Sequence, residues 1–355
     1  YAVLQFNRPD VLYDVPKMLL SSYGPLALKW NYIPKMFKWF LHYFKNCNEK
    51  SMLHTAKYMH QILSLSNDAY EEIFQEIDTN GLVERKGIIY VWTNKNLKSR
   101  KLEIKVRNEL GIEQKLLTQK EVLDLEPNLS PVFDAGVIYE NAMHARDPHG
   151  ILKEIFKLFL KKGGRFIQTN IKSIEQSSID QTIIRSENDV YKFEKSVIAS
   201  GAFSKKLTDQ LGENIPLDTE RGYHVHFKNR DNLISRPVIF LDRGFGMTPM
   251  NQGLRAVGTV ELGGLDNPLN KKRIKYITDC AKELLPQLDK HDDEWLGFRP
   301  TLPDFLPILG PSLKNKNIIY AFGHQHLGWT LGAITGKIIS GIVAGEKTNL
   351  NLDPY

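Results

Sequence analysis

The stretch from Asn317 to Val343 combines the features of a ligand-binding loop. An apolar run at 318–322 predicts a buried strand, Gly323 to Gly328 bound a short loop, and the residues that follow predict a helix. A strand, a glycine loop and a helix N-terminus in this order direct several backbone N–H groups and the positive end of the helix dipole at one point. The pattern therefore predicts that an anionic or electron-rich edge of a ligand lies at this point.

Small residues recur on one face of the predicted helix, at Gly328, Gly332, Gly336 and Ser340. A glycine in a helix interior costs about 1 kcal/mol relative to alanine, so three on one face require a reason. We expect a sheet or a flat ligand to approach this face closely. The alternative is a glycine-rich helix that is simply packed in a core.

Other residue types exclude several kinds of site. His224 and His226 fall on one face of a predicted strand, but no carboxylates or cysteines gather with them, so we expect no metal site. Cys47 and Cys280 form neither a metal-spaced set nor a disulfide framework. The net charge of +6 comes from lysines spread along 355 residues, which favours a solvated basic surface over nucleic-acid binding.

A helix and the strands that follow it should position part of the site. Asp147 and Pro148 suit the N-cap and first position of a helix that Gly163-Gly164 ends. The sequence then predicts a strand at 165–168, a hairpin formed by 181–185 and the residues from Tyr191, and a last strand at 196–199. The last runs into Ser200-Gly201-Ala202, as expected where the backbone approaches a nucleotide.

The N-terminal third reads as mainly helical, with lysines interleaved among apolar residues from Pro25 to Phe44. Such a stretch could lie flat on a membrane, but a helical pair that packs on the protein body with its lysines outward is favoured. From Gly222 to Glu261 the alternation predicts an antiparallel sheet. No apolar run is long enough to span a bilayer.

The C-terminal signature resembles that of the D-amino-acid oxidase superfamily of FAD enzymes, and bacterial D-amino-acid dehydrogenases most of all. The resemblance extends over nearly the whole chain. It is carried by Gly297-Phe298-Arg299-Pro300, Pro303-Asp304, Pro307-Ile308, Gly310, Gly323-His324 and Leu327-Gly328-Trp329-Thr330, with weaker support from Val15-Pro16-Lys17-Met18-Leu19, Leu125-Glu126-Pro127, Asp147-Pro148 and Val197 to Ser204.

The resemblance implies an α/β fold in which a Rossmann-like FAD-binding domain is joined to an α+β substrate domain with a mixed or antiparallel sheet. The expected divisions are 1–80 for the helical part of the substrate domain, 81–141 and 207–302 for its remainder, and 142–206 with 303–350 for the FAD-binding domain. No strand–GxGxxG–helix occurs in the sequence. We therefore expect that the N-terminal βαβ unit of the FAD domain is missing and that the chain is a fragment.

The resemblance also implies residue roles. Arg299 matches the arginine that holds the substrate carboxylate, a role that its planar fork of donors suits, although a surface ion pair is the alternative. Tyr223 matches a wall of the substrate site or is simply packed, and Thr259 and Glu261 border the pocket. Gln168 to Ile171 match the strand end that reads the adenine. The residues expected to contact FAD are Gly201, Ser204, Gly323, His324, Leu327, Gly328, Trp329 and Thr330, of which His324 is equally well a structural loop histidine.

The expected activity is oxidative deamination of a small amino acid, most simply a D-amino acid. Hydride leaves Cα for flavin N5, and the resulting imine hydrolyses to the 2-oxo acid. The alternatives are a glycine, sarcosine or hydroxyproline oxidase of the same superfamily, or a non-catalytic scaffold at a membrane surface. The electron acceptor is oxygen or a quinone. Gln325 and His326, larger than in the dehydrogenases compared, should reshape the pocket. We expect a cytoplasmic protein, with peripheral membrane contact as an open possibility.

Overall fold

A computed structural model describes residues 4, 6, 7, 9, 24–94, 97–176, 181–346 and 348–355, with the backbone alone at 97–99. The segment Val15 to Leu19, part of the family resemblance, lies outside these residues. The helices are α1 (Ile33–Asn46), α2 (Glu49–Leu63), α3 (Ser66–Phe74), α4 (Leu97–Glu109), α5 (Gln119–Leu125), α6 (Pro148–Lys161), α7 (Ser204–Gln210), α8 (Lys271–Leu284) and α9 (Gly328–Ala344).

The strands lie before, between and after these helices along the chain. They are β1 (Leu26–Leu28), β2 (Val83–Glu84), β3 (Ile88–Trp92), β4 (Lys115–Thr118), β5 (Ala135–Tyr139), β6 (His144–Ala145), β7 (Ile171–Gln176), β8 (Thr182–Ser186), β9 (Val190–Phe193), β10 (Ser196–Ile198), β11 (Asp218–Lys228), β12 (Val238–Phe240), β13 (Phe245–Met250), β14 (Gly253–Leu262), β15 (Asp293–Thr301), β16 (Ile308–Pro311) and β17 (Ile318–Phe322).

A nine-stranded mixed sheet forms the centre of the described structure. Its order is β15-β11-β14-β13-β12-β3-β5-β4, and β1 pairs in parallel with β14. Most neighbours are antiparallel, as the alternation from Gly222 to Glu261 predicts, but β12 and β3 are parallel. Helix α8 packs its apolar face on this sheet, so that Ile274, Ile277 and Leu284 lie in the main core.

A smaller sheet leads to the glycine loop. Strand β17 pairs in parallel with β10 and antiparallel with β16. Its residues Ile318, Ile319 and Phe322 are buried, which confirms the predicted buried strand. Helix α9 begins at Gly328, directly after the loop, as predicted. Its partners are α2 and α3, where Leu331 and Ile334 join a second core cluster.

Side chains cap the first turns of two helices. The Asp147 side chain accepts a hydrogen bond from the Gly150 N–H at 2.9 Å, and Pro148 opens α6, as predicted. Thr118 and Glu121 form a capping box at the start of α5. These contacts satisfy N–H groups that a helix end otherwise leaves unpaired.

The strand predicted at 165–168 is wrong. Residues 164–170 have no regular structure, and the first strand after α6 is β7, which begins at Ile171. Phe166 is 64% exposed and Ile167 is 55% exposed. A strand forms only where another strand accepts its hydrogen bonds, and no strand of the described residues pairs with this stretch.

Candidate active site

Cross-strand pairing between β11 and β15 places the predicted arginine. Glu220 lies opposite Arg299, and Gly222 lies opposite Gly297. Successive side chains of a strand point to opposite faces, so Glu220, Gly222, Gly297 and Arg299 share one face of the sheet. The neighbouring pair on that face consists of His224 and Trp295, whose rings stack at 4.9 Å.

The guanidinium of Arg299 lies flat over the backbone of Gly222. A Cβ atom at Gly222 would stand 2.4 Å from Nη2, 2.5 Å from Cζ and 2.7 Å from Nε of Arg299. Any side chain at position 222 would therefore occupy the space of the guanidinium. The remaining nitrogen, Nη1, donates to the carbonyl of Thr259 at 2.9 Å. Nη2 and Nε have no acceptor within the described part of the chain.

A β-bulge directs the Thr259 carbonyl. The register between β11 and β14 shifts between Arg221 and Tyr223, and Thr259 has a φ of +62°. A non-glycine residue rarely adopts positive φ, and a bulge turns the backbone groups of its strand. The Thr259 N–H bonds to the Gly244 carbonyl at 3.1 Å, which leaves the carbonyl for Arg299.

At this face, Arg299 and Glu220 carry opposite charges, and each charge acts against the effect of burial on the pKa of the other group. Burial lowers the pKa of the Arg299 guanidinium and the negative charge of Glu220 raises it, so Arg299 stays charged at neutral pH. Burial raises the pKa of the Glu220 carboxyl, whereas the positive charge of Arg299 lowers it. Both side chains are partly accessible to solvent. A cation and an acid thus lie side by side at an accessible point.

The glycine loop is bonded to the end of the strand that carries Arg299. The Gln325 N–H donates to the Pro300 carbonyl at 2.9 Å, and Thr301 and His324 form an isolated β-bridge. Gly323 has a φ of +89°, and a Cβ atom there would stand 2.6 Å from the Leu302 side chain. The loop therefore lies against the end of the strand that carries Arg299.

His326 belongs to this loop and feels the charge of Arg299. Its ring is exposed to solvent, yet it is deep within the protein mass, and this burial and then the positive charge of Arg299 lower its pKa to about 3. His326 is therefore neutral at physiological pH. Its neighbour Gln325 is buried and has a φ of +52°, which turns the loop at this residue.

His324 has a structural contact. Its Nε2 is 2.9 Å from the Thr335 hydroxyl of α9, and burial lowers its pKa to about 4. The contact ties the loop to the helix that follows it. This arrangement fits the interpretation of His324 as a loop histidine, and its predicted contact with a cofactor stays a prediction.

The first turn of α9 has free backbone donors. Leu327 is its N-cap residue and is fully buried, and no side chain of the described residues caps the helix. Trp329 is 39% exposed, and its carbonyl accepts a hydrogen bond from the Tyr70 hydroxyl. A Cβ atom at Gly328 would meet nothing closer than the His324 Cβ at 3.8 Å. The side of Gly328 is therefore open, and no side chain of the described residues caps the helix beside it.

The glycine face of α9 is less crowded than predicted. The Tyr70 hydroxyl would stand 3.1 Å from a Cβ atom at Gly332, but nothing lies within 4 Å of one at Gly336. Both glycines are exposed. Of the predicted residues, Thr330 lines a cavity of about 400 Å³, together with His60, Ser64 and Tyr139.

The predicted contacts after β10 differ in exposure. Gly201 has a φ of +55°, and nothing would meet a Cβ atom there, so its backbone is open to a ligand. Ser204 is fully buried in α7, and its hydroxyl has no hydrogen-bond partner among the described residues. Gln168 to Asn170 have no regular structure, and Ile171 begins β7.

Tyr223 lies away from the accessible face, in a packed position that the sequence left open for it. The side chain is fully buried, and alternation places it on the opposite face of β11 from Gly222. Its hydroxyl donates to Glu261 at 2.9 Å, and Glu261 is paired with Arg221 at 3.1 Å, both side chains fully buried. Glu261 is therefore neither an edge charge nor part of the open site.

Sequence reasoning missed Glu220 and Gly222 as site residues. The buried Val225 and Phe227 mark one face of β11, and the alternate positions must face the other way. That signal could have shown Gly222 and Glu220 to be on the accessible face, with Tyr223 inward. No group of histidine, cysteine and carboxylate side chains suited to a metal occurs within the part of the chain described.

The site fits the electron-rich edge of a flavin. The uncapped first turn of α9, the open backbone at Gly328 and the open backbone at Gly201 supply donors and space where the family resemblance expects FAD. Helix N-termini bind such groups through backbone N–H and the helix dipole. The residues that would hold the cofactor are those of the loop 323–330.

Comparison with known proteins agrees with these features. The family described as DAO, FAD dependent oxidoreductase, matches residues 27–342. A D-amino-acid oxidase of Bradyrhizobium diazoefficiens is 29% identical over all of this chain and 86% of its own length. A D-amino acid dehydrogenase of Vibrio atlanticus is 27% identical over 97% of this chain and 84% of its own length.

Solved structures share the fold. Glycine oxidase from Geobacillus kaustophilus superposes with a TM-score of 0.75 at 21% identity, covering 84% of this chain and 81% of its own. L-proline dehydrogenase from P.horikoshii gives a TM-score of 0.74 at 16% identity, covering 83% and 81%. At these identities the likeness establishes the fold of FAD-binding oxidases, and the mixed α/β architecture predicted from the sequence is confirmed.

Proposed function

Because this chain belongs to the DAO family of FAD-dependent oxidoreductases, we propose that it deaminates a small D-amino acid oxidatively. The observation that carries this proposal is the convergence of Arg299 with the loop that leads to Gly328. The names of the sequence relatives support the D-configuration. The proposed division of the chain places the cofactor with 142–206 and 303–350, and the substrate with 81–141 and 207–302.

Arg299 binds the carboxylate of the substrate in this proposal. Its Nη1 is already bonded to the Thr259 carbonyl, which fixes the plane of the guanidinium and leaves Nη2 and Nε for an external acceptor. Two parallel donors match the two oxygens of a carboxylate. Glu220, beside the cation, receives the ammonium end, so the pair complements the two charges of a zwitterionic amino acid.

FAD, when bound, would supply the acceptor for the hydride that leaves Cα, and the backbone donors of the loop 323–330 and the start of α9 would hold it. The ammonium group of the substrate first releases a proton to solvent. Loss of the hydride then turns the Cα–N single bond into the double bond of an iminium ion, which water hydrolyses to a 2-oxo acid and ammonium. The residues of the chain act mainly by orientation, which can contribute several kcal/mol to lowering a barrier. The neutral His326 fills space beside the carboxylate site without adding a charge.

The test uses the full natural protein, loaded with FAD, and a panel of D- and L-amino acids with glycine, sarcosine and hydroxyproline. We expect a yellow protein that bleaches with a D-amino acid and turns over with a dye acceptor. Comparing oxygen consumption with reduction of a soluble quinone identifies the natural class of acceptor. A colourless protein or one inert to the whole panel would leave a scaffold as the better interpretation. Preference for glycine or sarcosine would favour the second candidate, to which the fold of glycine oxidase points.

The role of Arg299 is tested by replacement with methionine and with lysine. The loss of two charged hydrogen bonds, at about 1.5–3 kcal/mol each, predicts that kcat/KM falls at least about 100-fold in Arg299→Met. Lysine should recover part of the loss, because it keeps the charge but not the paired donors. Arg185→Met is the matched control and should leave turnover unchanged. It removes an exposed arginine of β8 that pairs with Glu175 of β7.

A further inference from the structure

Helix α1 has two apolar faces, and one of them is exposed. Phe37 is 60% exposed, Leu41 55% and Phe44 47%, and Trp30, just before the helix, is 73% exposed. At 3.6 residues per turn, the three helical residues lie within about 60° of arc. We call Phe37, Leu41 and Phe44, with the adjacent Lys38 and Lys45, the outer face of α1.

The opposite side of α1 holds the helix on the protein. Met36 and Trp39 are buried, and the Trp39 indole N–H donates to the Thr301 carbonyl at 3.2 Å. Tyr43 contacts Phe305 with ring centroids 6.0 Å apart. An anchored helix of this kind needs no further apolar contact to fold, so its exposed apolar stripe requires another explanation.

Positive charge accompanies the exposed stripe. From Gly24 to Asn48 the sequence contains four lysines and neither aspartate nor glutamate. Lys35, Lys38 and Lys45 are exposed, and the last two lie together along one border of the stripe. An apolar strip bordered by lysines is the pattern of a helix that lies in a membrane interface.

We propose that the outer face of α1 docks on the surface of an anionic lipid bilayer. The lysines meet lipid headgroups, while Phe37, Leu41 and Phe44 enter the boundary between headgroups and acyl chains. No helix of the described chain has both the length and the apolar character needed to cross a bilayer, so the contact is peripheral. The Trp39–Thr301 bond places this surface one helix away from the strand that carries Arg299.

A second copy of the chain is a poorer occupant of this face. A two-fold interface would bring the lysines of both copies together, and like charges repel across an interface. Lysine is also depleted from protein–protein interfaces. An anionic bilayer instead gains from each lysine near its surface.

Sedimentation with vesicles tests the proposal on the full holoprotein. We expect binding to vesicles of phosphatidylcholine and phosphatidylglycerol, little binding to phosphatidylcholine alone, and weakening as salt is raised. Phe37→Ser/Leu41→Ser should lower the partition coefficient at least about 100-fold, since burial of each side chain contributes about tenfold or more. Because both positions are exposed, thermal unfolding of this variant should match the wild type. Absence of wild-type binding to the anionic vesicles overturns the proposal.

The role of the lysines is tested by a charge-matched pair of variants. Each lysine near an anionic surface contributes about fivefold, so reversal of three should lower partitioning about 100-fold or more. A control with the same change in net charge should keep most of the binding. Equal loss in both would show a general charge effect and contradict docking by α1. The test variant is Lys35→Glu/Lys38→Glu/Lys45→Glu and the control is Lys115→Glu/Lys120→Glu/Lys290→Glu, all six exposed.

A rival surface and a rival partner complete the test. Helix α6 also exposes Leu152 (56%), Phe156 (39%), Phe159 (45%) and Leu160 (45%), but it carries Glu154, which pairs with Lys157 at 2.6 Å, whereas α1 carries no acidic residue. If Leu152→Ser/Phe156→Ser abolishes vesicle binding and the α1 variants do not, the proposed surface is wrong. If the α1 variants instead convert a dimer into a monomer in ultracentrifugation, a second copy covers the face. None of these measurements uses turnover, so their outcome does not depend on whether the proposed substrate is correct.

Discussion

Gly222 is the residue at which the smallest change should have the largest effect on substrate binding. Alanine at this position places its Cβ 2.4 Å from Nη2 of Arg299 and 2.5 Å from Cζ, whereas ordinary contacts begin near 3.4 Å. The strand backbone accepts alanine, because φ at Gly222 is not positive. The guanidinium must therefore move away by about 1 Å or give up its hydrogen bond to the Thr259 carbonyl.

The expected size follows from this displacement. A shift of about 1 Å in a positioning group can reduce a rate about 100-fold, which corresponds to about 2.7 kcal/mol of transition-state stabilisation. Weaker binding of the substrate carboxylate should raise KM, and the displaced position of Cα should lower kcat. Stability should change little, because alanine suits a strand at least as well as glycine.

The assay compares kcat/KM of Gly222→Ala with that of the wild type on the best substrate of the panel. Gly297→Ala is the matched control, because Gly297 is the cross-strand partner of Gly222 on the same face. Its Cβ would meet the ring of Trp295, 2.0 Å away, which is 54% exposed and can turn outward by giving up its stacking on His224. We expect Gly297→Ala to keep kcat/KM within about threefold, and thermal unfolding should be similar for both variants. Unchanged kcat/KM in folded Gly222→Ala would refute the placement of the substrate at Arg299.

Three further outcomes are expected. Tyr70→Phe removes the hydrogen bond to the Trp329 carbonyl and should lower the free energy of unfolding by about 1 kcal/mol in urea titrations. Glu261→Gln breaks the fully buried pair with Arg221 and should cost about 3–5 kcal/mol in the same measurement. Burial lowers the pKa of His144 to about 4 from 6.5, so the unfolded chain binds more protons below pH 6.5. The melting temperature should therefore fall from pH 6.5 to about 4, and His144→Gln should weaken that dependence.

The elements around the site could largely be predicted because their signals are local. Asp147 and Pro148 predict the start of α6, and the apolar run before Gly323 predicts β17. Each signal depends on residues within one turn or one strand. The order strand, loop and helix follows from the same short stretch.

Which residues form the site depends on contacts between distant parts of the chain. Glu220 meets Arg299 because β11 pairs with β15, and the register of that pairing is set by contacts between segments far apart in the chain. The positive φ of Thr259 could not be predicted either, because a threonine in a strand sequence does not indicate a β-bulge. The strand expected at 165–168 failed for a related reason, since extended propensity alone does not supply a partner.

The positive field of the candidate site comes from groups that do not titrate near neutral pH. Arg299 keeps its charge, and the first turn of α9 contributes backbone N–H groups and a helix dipole. The two histidines of the loop have pKa values of about 4 for His324 and about 3 for His326, so both are neutral above about pH 5. The protein therefore holds its anion-binding surface constant across the physiological range, and the protonation of the substrate amine and of Glu220 is left to set how turnover depends on pH.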